Sequence, residues 1–305
     1  MCKRIYIFLT LVTLVCCEQN VTEYKGLLTS DCTKAYVRMF VTRRVPPRNY
    51  FYVHESVDRE RLLASGNAAN TNNTEVDVKF RIVGGKIVSI TEVPYQVLYG
   101  RYCGGSLIAP QWVITAAHCK DRETFILAGS TQRSRAQKYR ICAHFIHPLW
   151  NATAGVSHDY DYQLVLLETP VPVTPSSRPI AIGSLEDIRP GNMVAISGWG
   201  HLQFKKSRMQ DLVRRVYVPV MADDECRALP HGYFSNITSR MFCAGYMDGA
   251  KDSCQGDSGG PAVINGKLVG IVSFGVSCAA PRQPGVYSKV PVVRDWIRAV
   301  TALPL

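Results

Sequence analysis

Short apolar runs, separated by glycine, proline and polar turns, recur along most of this chain and constrain its fold more than any other feature. The runs that we interpret as strands are Val93–Tyr99, Ser106–Ile108, Trp112–Thr115, Phe125–Ala128, Leu164–Leu167, Met193–Ile196, Arg215–Val220, Lys267–Ser273 and Gly285–Val290. Many short strands with few helical periods are typical of an all-β sandwich or barrel. Two segments have helical features: Ala222–Leu229 is acidic in its first turn, and Val292–Ala302 is amphipathic.

The first 17 residues are typical of a secretory signal peptide. Lys3 and Arg4 precede an apolar run from Ile5 to Val15, and the small residues Cys16 and Cys17 follow it. That run is too short to span a bilayer as an ordinary helix, so the pattern favours a cleaved signal over a retained anchor. We therefore expect a secreted, extracellular protein without stable membrane insertion.

Secretion makes disulfides expected, and the chain beyond the signal carries an even number of cysteines. The eight are Cys32, Cys103, Cys119, Cys142, Cys226, Cys243, Cys254 and Cys278. Their number fits four bridges but does not specify the connectivity. Four N-x-Ser/Thr sequons are compatible with a glycosylated surface, at Asn20, Asn72, Asn151 and Asn236.

The formal net charge of +11 does not indicate a nucleic-acid partner. No basic run is interleaved with aromatic residues, as a surface for single-stranded nucleic acid requires. A solvated basic surface is the preferred interpretation, and weak attraction to anionic glycans stays open.

Residues 18–81 differ in character from the rest, and we interpret them as a largely flexible propeptide. Ser65–Thr74 is small, polar and aperiodic, which is typical of a linker. Arg81 stands directly before Ile82-Val83-Gly84-Gly85, so a cut after Arg81 would free an ammonium group on Ile82. That charge would need a buried carboxylate as its partner. A strand start followed by a turn is the alternative interpretation of residues 82–85.

The stretch DSCQGDSGGP, residues 252–261, places a serine on a glycine-rich turn. Ser258 has small neighbours, so its hydroxyl is open to a substrate, and the N–H groups of Gly256 and Ser258 can meet a developing oxyanion. The same turn fits the G-x-S-x-G elbow of α/β-hydrolases, in which the base histidine follows the serine. No histidine follows Ser258, so the base must come from upstream.

Two upstream residues are suited to assist this serine. His118, in TAAHC, follows an apolar strand, and Asp161 opens the apolar strand YQLVLL. A buried carboxylate there can hold an imidazole in the useful tautomer. Each signal is weak alone, because a single histidine is more often structural. In the order His118, Asp161, Ser258, together with IVGG and the glycine turn, they become specific.

On these motifs the chain resembles a trypsin-like member of the chymotrypsin family of serine proteases. The resemblance covers residues 82 to about 302 and rests on IVGG, TAAHC, DSCQGDSGGP, SFG and PGVY. It implies a protease domain, residues 82–305, of two six-stranded antiparallel β-barrels with a C-terminal α-helix and the active site between the barrels. It also implies that His118 is the general base, Asp161 its orienter and Ser258 the nucleophile, with Gly256 and Ser258 as the oxyanion hole.

The resemblance further implies a pocket for a basic side chain. Asp252 would lie at the pocket floor with Ser253 beside it, and Gly275 and Gly285 would leave the walls open. A buried carboxylate is costly unless a cation pairs with it, so we expect cleavage of protein or peptide substrates after Arg or Lys.

Activation follows from the same resemblance. A cut between Arg81 and Ile82 by another trypsin-like protease would let the new ammonium pair with Asp257, which is then a zymogen switch rather than a catalyst. The enzyme so formed would be open to protein inhibitors. A non-catalytic homologue that acts as a binding protein is the alternative, disfavoured because the three residues of the triad are all present.

For the cysteines, the resemblance pairs Cys103 with Cys119, Cys226 with Cys243, and Cys254 with Cys278. Cys32 and Cys142 remain, and two interpretations stay open. In one they form a fourth bridge that keeps the propeptide attached after activation. In the other Cys142 is a buried free thiol that packs as a small hydrophobic side chain.

We expect neither a cofactor nor a metal. The loop that often binds calcium in this family, here Gly129–Lys138, has several bases and no acid. The spacing of Cys142, His144 and His147 is similar to that of zinc ligands, but a strand with histidines near a turn is the better explanation of this pattern. Phe274 stands where the family usually has tryptophan, which puts the extended subsites in question.

Overall fold

A computed structural model describes residues 85–151, 158–200, 209–230, 232–249, 257–275 and 280–305. Its strands are β1 (Lys86–Ile87), β2 (Gln96–Tyr99), β3 (Cys103–Ala109), β4 (Trp112–Thr115), β5 (Phe125–Ala128), β6 (Gln137–Ile146), β7 (Gln163–Leu167), β8 (Met193–Gly198), β9 (Arg214–Pro219), β10 (Met241–Ala244), β11 (Pro261–Ile264), β12 (Lys267–Phe274) and β13 (Gly285–Lys289). The α-helices are α1 (Asp223–Arg227), α2 (Gly232–Ser235) and α3 (Arg294–Thr301). Short 3₁₀ turns span Ile90–Glu92, Ala117–Cys119, Arg133–Arg135, Leu185–Asp187 and Val290–Val293.

Several sequence predictions concern residues outside these ranges and stay predictions. They are the signal peptide (1–17), the propeptide (18–81) with its linker, Cys32, Arg81, Ile82, Asp252, Ser253, Cys254, Gly256 and Cys278.

The first half of the described chain forms a closed antiparallel barrel of six strands, in the order β2-β3-β4-β7-β6-β5. Its interior is filled by apolar side chains, including Val97, Leu107, Val113 and Ile126. All four residues of β4 are buried, because this strand pairs with β3 on one side and β7 on the other. The barrel that the resemblance implies is therefore present.

The second half forms a seven-stranded antiparallel sheet in the order β1-β9-β8-β11-β12-β13-β10. An isolated bridge between Val220 and Ala244 connects the end of β9 to β10, and Met221 N donates to Cys243 O at 2.9 Å. The sheet therefore curls towards a barrel, with one bridge where a full strand pair would close it. The chain leaves β9 at Pro219 and turns into α1, which limits that contact to a few residues. The all-β class is confirmed; the second unit differs from a simple six-stranded barrel by β1 and by this short closure.

The C-terminal helix α3 covers the region between the halves. It buries Trp296, Ile297 and Val300 in a cluster that includes Trp112 of β4 and Val263 of β11. The helix is shorter than the predicted Val292–Ala302, because Val290–Val293 forms a 3₁₀ turn and Ala302 is left-handed. No helix in the described ranges is long and apolar enough to cross a bilayer.

Two disulfides join described parts of the chain. Cys103 is joined to Cys119, which ties β3 to the turn carrying His118, and Cys226 is joined to Cys243, which ties α1 to β10. These are pairings that the resemblance implies. Cys142 is also disulfide-bonded, which excludes the buried free thiol, and its partner is a cysteine outside the described residues.

Candidate active site

His118 and Asp161 form a close pair at the edge of the closed barrel. His118 lies on the 3₁₀ turn Ala117–Cys119 directly after β4, and Asp161 lies two residues before β7, the strand that pairs with β4. The Nδ1 atom of His118 lies 2.7 Å from Oδ2 of Asp161, and the backbone N–H of His118 donates to Oδ1 at 2.9 Å. The carboxylate thus holds both the imidazole ring and the turn that carries it.

The burial of Asp161 makes this pair electrostatically strong. Its side chain is fully buried, and burial opposes its ionisation, yet the charge of His118 and the hydrogen bonds from His118 and Ser273 hold the pKa of Asp161 below its ordinary value. Burial also lowers the pKa of His118, but the charge and hydrogen bond of Asp161 outweigh it, so the pKa of His118 is raised. An imidazole with Nδ1–H directed at a carboxylate keeps Nε2 available as a base.

Ser273, at the end of β12, is a third member of this network that the sequence did not reveal. Its hydroxyl donates to Oδ2 of Asp161 at 2.6 Å and is itself buried. Ser273 belongs to the second sheet, whereas His118 and Asp161 belong to the first barrel. The signal in the sequence was the SFG motif, which contains Ser273 but does not say what its hydroxyl binds.

The interior of the barrel holds the turn after His118. The hydroxyl of Tyr99 donates to the carbonyl of Lys120 at 2.5 Å, and Gln163 Nε2 donates to that hydroxyl and to His144 Nδ1, at 3.1 and 2.8 Å. Since Nδ1 of His144 accepts, its Nε2–H donates to the carbonyl of Glu123 at 3.1 Å. This buried polar network fixes the backbone of the segment that follows His118.

Ser258 lies on a tight turn clamped between the two halves. Its carbonyl accepts from Gly104 N of β3 at 2.7 Å, and Gly259 N donates to the carbonyl of Val272 of β12 at 2.8 Å. Gly259 has a φ of +78°, and a Cβ there would lie 2.1 Å from Oγ1 of Thr115, so only glycine fits this approach. The turn that carries Ser258 is thereby brought beside the end of β4, the strand that leads into His118.

Asp257, directly before Ser258, points its carboxylate into the protein. The side chain is buried, and Oδ1 accepts from Gly200 N at 3.0 Å. A Cβ on Gly200 would lie 2.5 Å from the carboxylate, so that glycine is what lets the backbone reach the charge. Asp257 therefore supports the turn from within the protein.

The two glycines predicted for the pocket walls lie next to each other. Phe274 of β12 pairs with Val286 of β13 in antiparallel register, so the adjacent Gly275 and Gly285 stand opposite one another. Phe274 stacks on His158, with ring centroids 4.5 Å apart, and His158 lies edge-on to His118 at 6.1 Å. Sequence reasoning did not single out His158, which extends the aromatic surface from the catalytic cleft towards Phe274.

The cysteines of the two groupings that could suggest a metal site are disulfide-bonded. The one grouping of three in the described ranges is Cys103, His118 and Cys119, and its two cysteines are joined to each other. In the cluster considered from sequence, Cys142 is disulfide-bonded and His147 accepts from Leu149 N. These contacts leave no thiolate there for zinc.

Comparisons with known proteins agree with this geometry. The family model described as Trypsin matches residues 82–297. Trypsin 5G1 of Aedes aegypti is 40% identical over 233 residues, which cover 73% of this chain and 86% of that protein. A trypsin of Simulium vittatum is 38% identical, with coverages of 70% and 90%. This chain belongs to the trypsin family.

A solved structure extends the likeness to the fold of a trypsin-like enzyme. Neuropsin, a serine protease expressed in the limbic system of mouse brain, superposes with a TM-score of 0.66 at 30% identity, covering 71% of this chain and 98% of that one. The chain is therefore a serine endopeptidase of the chymotrypsin family, and its substrates are proteins. The paired His118 and Asp161 lie beside the Ser258 turn, where the two β units meet, and this place is the candidate active site.

Proposed function

We propose that this protein is the secreted zymogen of a trypsin-like endopeptidase that cleaves after Arg or Lys through an acyl-enzyme on Ser258. The observation that carries the proposal is the buried Asp161 carboxylate, hydrogen-bonded to both Nδ1 and the backbone N–H of His118, beside the glycine turn of Ser258. Burying a carboxylate costs desolvation free energy that pairing with a partner does not always repay. The stability of the barrel therefore does not explain why this pair is present.

The chemistry follows from the roles of these groups. Nε2 of His118 takes the proton of Ser258 Oγ as that oxygen attacks the scissile carbonyl, and Asp161 stabilises the imidazolium that forms. N–H groups of Gly256 and Ser258 bind the oxyanion. His118 then returns the proton to the leaving amine, and water hydrolyses the acyl-enzyme by the same steps in reverse.

Specificity for a basic side chain rests on Asp252. The opposed Gly275 and Gly285 support it, since side chains at either position would narrow a pocket that must admit the long stem of Arg or Lys. Ser253 would lie beside the carboxylate. A desolvated carboxylate discriminates strongly, because neutral side chains would leave its charge without a partner.

Activation by cleavage between Arg81 and Ile82 is supported by the placement of Asp257. Its buried carboxylate, turned towards Gly198 and Gly200, is where a new ammonium would find its counter-ion. Such a pairing would order the turn of Ser258 and Gly256, so activity would depend on the cut. The activating enzyme would itself be trypsin-like, because it must recognise Arg81.

Secretion is supported by the disulfides, which persist in oxidising compartments, and by the signal-like first 17 residues. The sequon residues Asn151 and Asn236 are both exposed, as glycosylation requires. Protein inhibitors that insert a basic residue into the pocket are expected partners.

A positional-scanning peptide library tests the proposal directly. The activated enzyme should cleave after Arg and Lys, and Asp252→Ser should lose that preference while Ser258→Ala loses all cleavage. A wild-type profile dominated by aromatic or small residues would refute the assigned specificity. If the activated wild type cleaves no peptide at all, the non-catalytic alternative takes its place.

A further inference from the structure

Tyr160, which stands directly before Asp161, has a left-handed backbone with a φ of 56°. This region is unusual for a bulky residue, because the Cβ atom crowds the following carbonyl. Tyr162 N donates to the carbonyl of Tyr160 at 2.7 Å, which closes a three-residue turn with Asp161 at its centre. The conformation of Tyr160 therefore decides in which direction Asp161 leaves the backbone.

The ring of Tyr160 is held by two contacts that do not depend on Asp161. The ring of His147 stacks on it, with centroids 4.7 Å apart and an interplanar angle of 19°. The guanidinium of Arg240 lies 4.5 Å from its centroid, within the range of a cation–π contact. Trp296 of α3 packs on His147 at 4.8 Å in turn.

Arg240 is itself anchored, and the anchor crosses between the two halves of the protein. It precedes β10 of the second sheet, and its Nε donates to Oδ1 of Asp159 at 2.8 Å while Nη2 contacts Oδ2. Thr238 also donates to Oδ1, at 3.0 Å. Burial opposes the charge of Asp159, but these hydrogen bonds keep its pKa below the ordinary value. The ion pair with Asp159 thus fixes Arg240, whose guanidinium contacts the ring of Tyr160.

We propose that Tyr160 is a positioning residue for Asp161: Arg240 and His147 hold its ring, keep its backbone left-handed and thereby set the hydrogen bond between Asp161 and His118. The proposal rests on the endopeptidase assignment of this site. It adds a residue that acts on His118 through the backbone of its neighbour Asp161.

The state of His147 suits this task. Burial lowers its pKa to about 4, against a smaller opposing effect of Asp159, so the ring is neutral at neutral pH. A neutral ring stacks on Tyr160 without repelling the nearby Arg240, whereas an imidazolium would repel it. The stack is therefore strongest at neutral pH.

The test compares Tyr160→Ala, Tyr160→Phe and wild type in two measurements. The first is the pH dependence of kcat/KM on the wild type's best peptide; the second is an NMR titration of His118 in the Ser258→Ala background, which needs no substrate. The titratable groups facing His118 in the described ranges are Asp161 and His158. Tyr160→Ala should lower kcat by roughly tenfold to a hundredfold at unchanged KM. It should also lower the pKa of His118, because the hydrogen bond between Asp161 and the His118 ring is then weaker. Tyr160→Phe keeps the ring and should restore both values.

Asn265→Ala is the matched control, because Asn265 is also left-handed, with a φ of 50°, but lies in the β11–β12 hairpin. It should change stability without changing kcat or the pKa of His118. If Tyr160→Ala does not fold, Arg240→Gln removes the guanidinium and should shift both readouts in the same direction. A wild-type kcat and an unshifted His118 titration in Tyr160→Ala, or equal losses in Asn265→Ala, would overturn the proposal. Because the titration is independent of peptide cleavage, a failure of the assigned specificity would leave this result standing.

Discussion

Ser273 Oγ donates to the same carboxylate oxygen of Asp161 that faces Nδ1 of His118, at 2.6 Å, against 2.7 Å for the imidazole. Ser273 comes from β12 of the second sheet, whereas Asp161 precedes β7 of the first barrel. The Asp161 carboxylate is therefore held from both halves of the protein.

Ser273→Ala should lower the free energy of unfolding by about 1.5–3 kcal/mol, because a buried carboxylate loses one of its hydrogen-bond donors. Ser288→Ala is the control, since Ser288 is equally buried but its hydroxyl has no hydrogen-bond partner among the described residues. That variant should be neutral or slightly stabilising. Urea unfolding at neutral pH measures both, and equal losses in the two variants would show that the bond to Asp161 has no special value.

Asp161→Asn should lower kcat by about 10⁴-fold, the size of effect that follows when the orienting carboxylate of such a triad is lost. The amide would present a donor to Nδ1 and favour the wrong tautomer of His118. The matched variant is Asp295→Asn, which removes a carboxylate from the exposed end of α3 and should leave kcat unchanged. Steady-state kinetics on one peptide decides it, and a loss of less than tenfold would speak against the assigned role.

His147 makes stability depend on pH in the mildly acidic range. Its pKa is about 4 in the folded protein against an ordinary 6.5, so the unfolded chain takes up a proton first as the pH falls. The contribution is fully present above pH 6.5 and is lost progressively down to pH 4, by at most about 3 kcal/mol. His147→Phe removes the titration, so its stability should fall less than that of the wild type between pH 7 and 4. The free energy of unfolding is measured by urea unfolding at each pH. An equal loss between pH 7 and 4 in the variant and the wild type would contradict the expectation.

Much of the fold could be predicted because buried strands carry their own signal. β4 and β5 lie at the predicted residues, since their apolar runs are bounded by turns. β6, in contrast, was predicted only in its second half, where Cys142 and His144 were interpreted as part of a strand; its first half is exposed and charged and shows no continuous apolar run. β11 begins with a proline, and β1 is exposed at both residues, so neither resembles a buried strand on its own.

The candidate site likewise contains residues with a local sequence signal and residues without one. His118, Asp161 and Ser258 stand in motifs with local constraints, such as the glycine turn, and could be singled out as candidates from sequence. Ser273 and Asp161 are 112 residues apart, and no local pattern says that these two side chains meet. The contact of Arg240 with Tyr160 is equally non-local. Such supports depend on how the two halves pack, which the pattern of either half alone does not encode.

The bonded state of Cys142 predicts that the propeptide stays attached after activation. With Cys103, Cys119, Cys226 and Cys243 already paired, we expect Cys32 to be the partner of Cys142. Activated protein should then run as one species on a non-reducing gel and as two after reduction. Cys142→Ala should separate without reductant. Separation of the wild-type propeptide without reductant would show that this tether does not exist.

The central claim, that Ser258 is the nucleophile activated by His118 and Asp161, is tested most directly by labelling with a fluorophosphonate and locating the adduct by peptide mass spectrometry. The probe reacts with an activated serine whatever the substrate preference. The account predicts about one adduct per activated molecule, on Ser258, with none in Ser258→Ala and little in His118→Ala. A label on another residue, or undiminished labelling of Ser258→Ala, would contradict it.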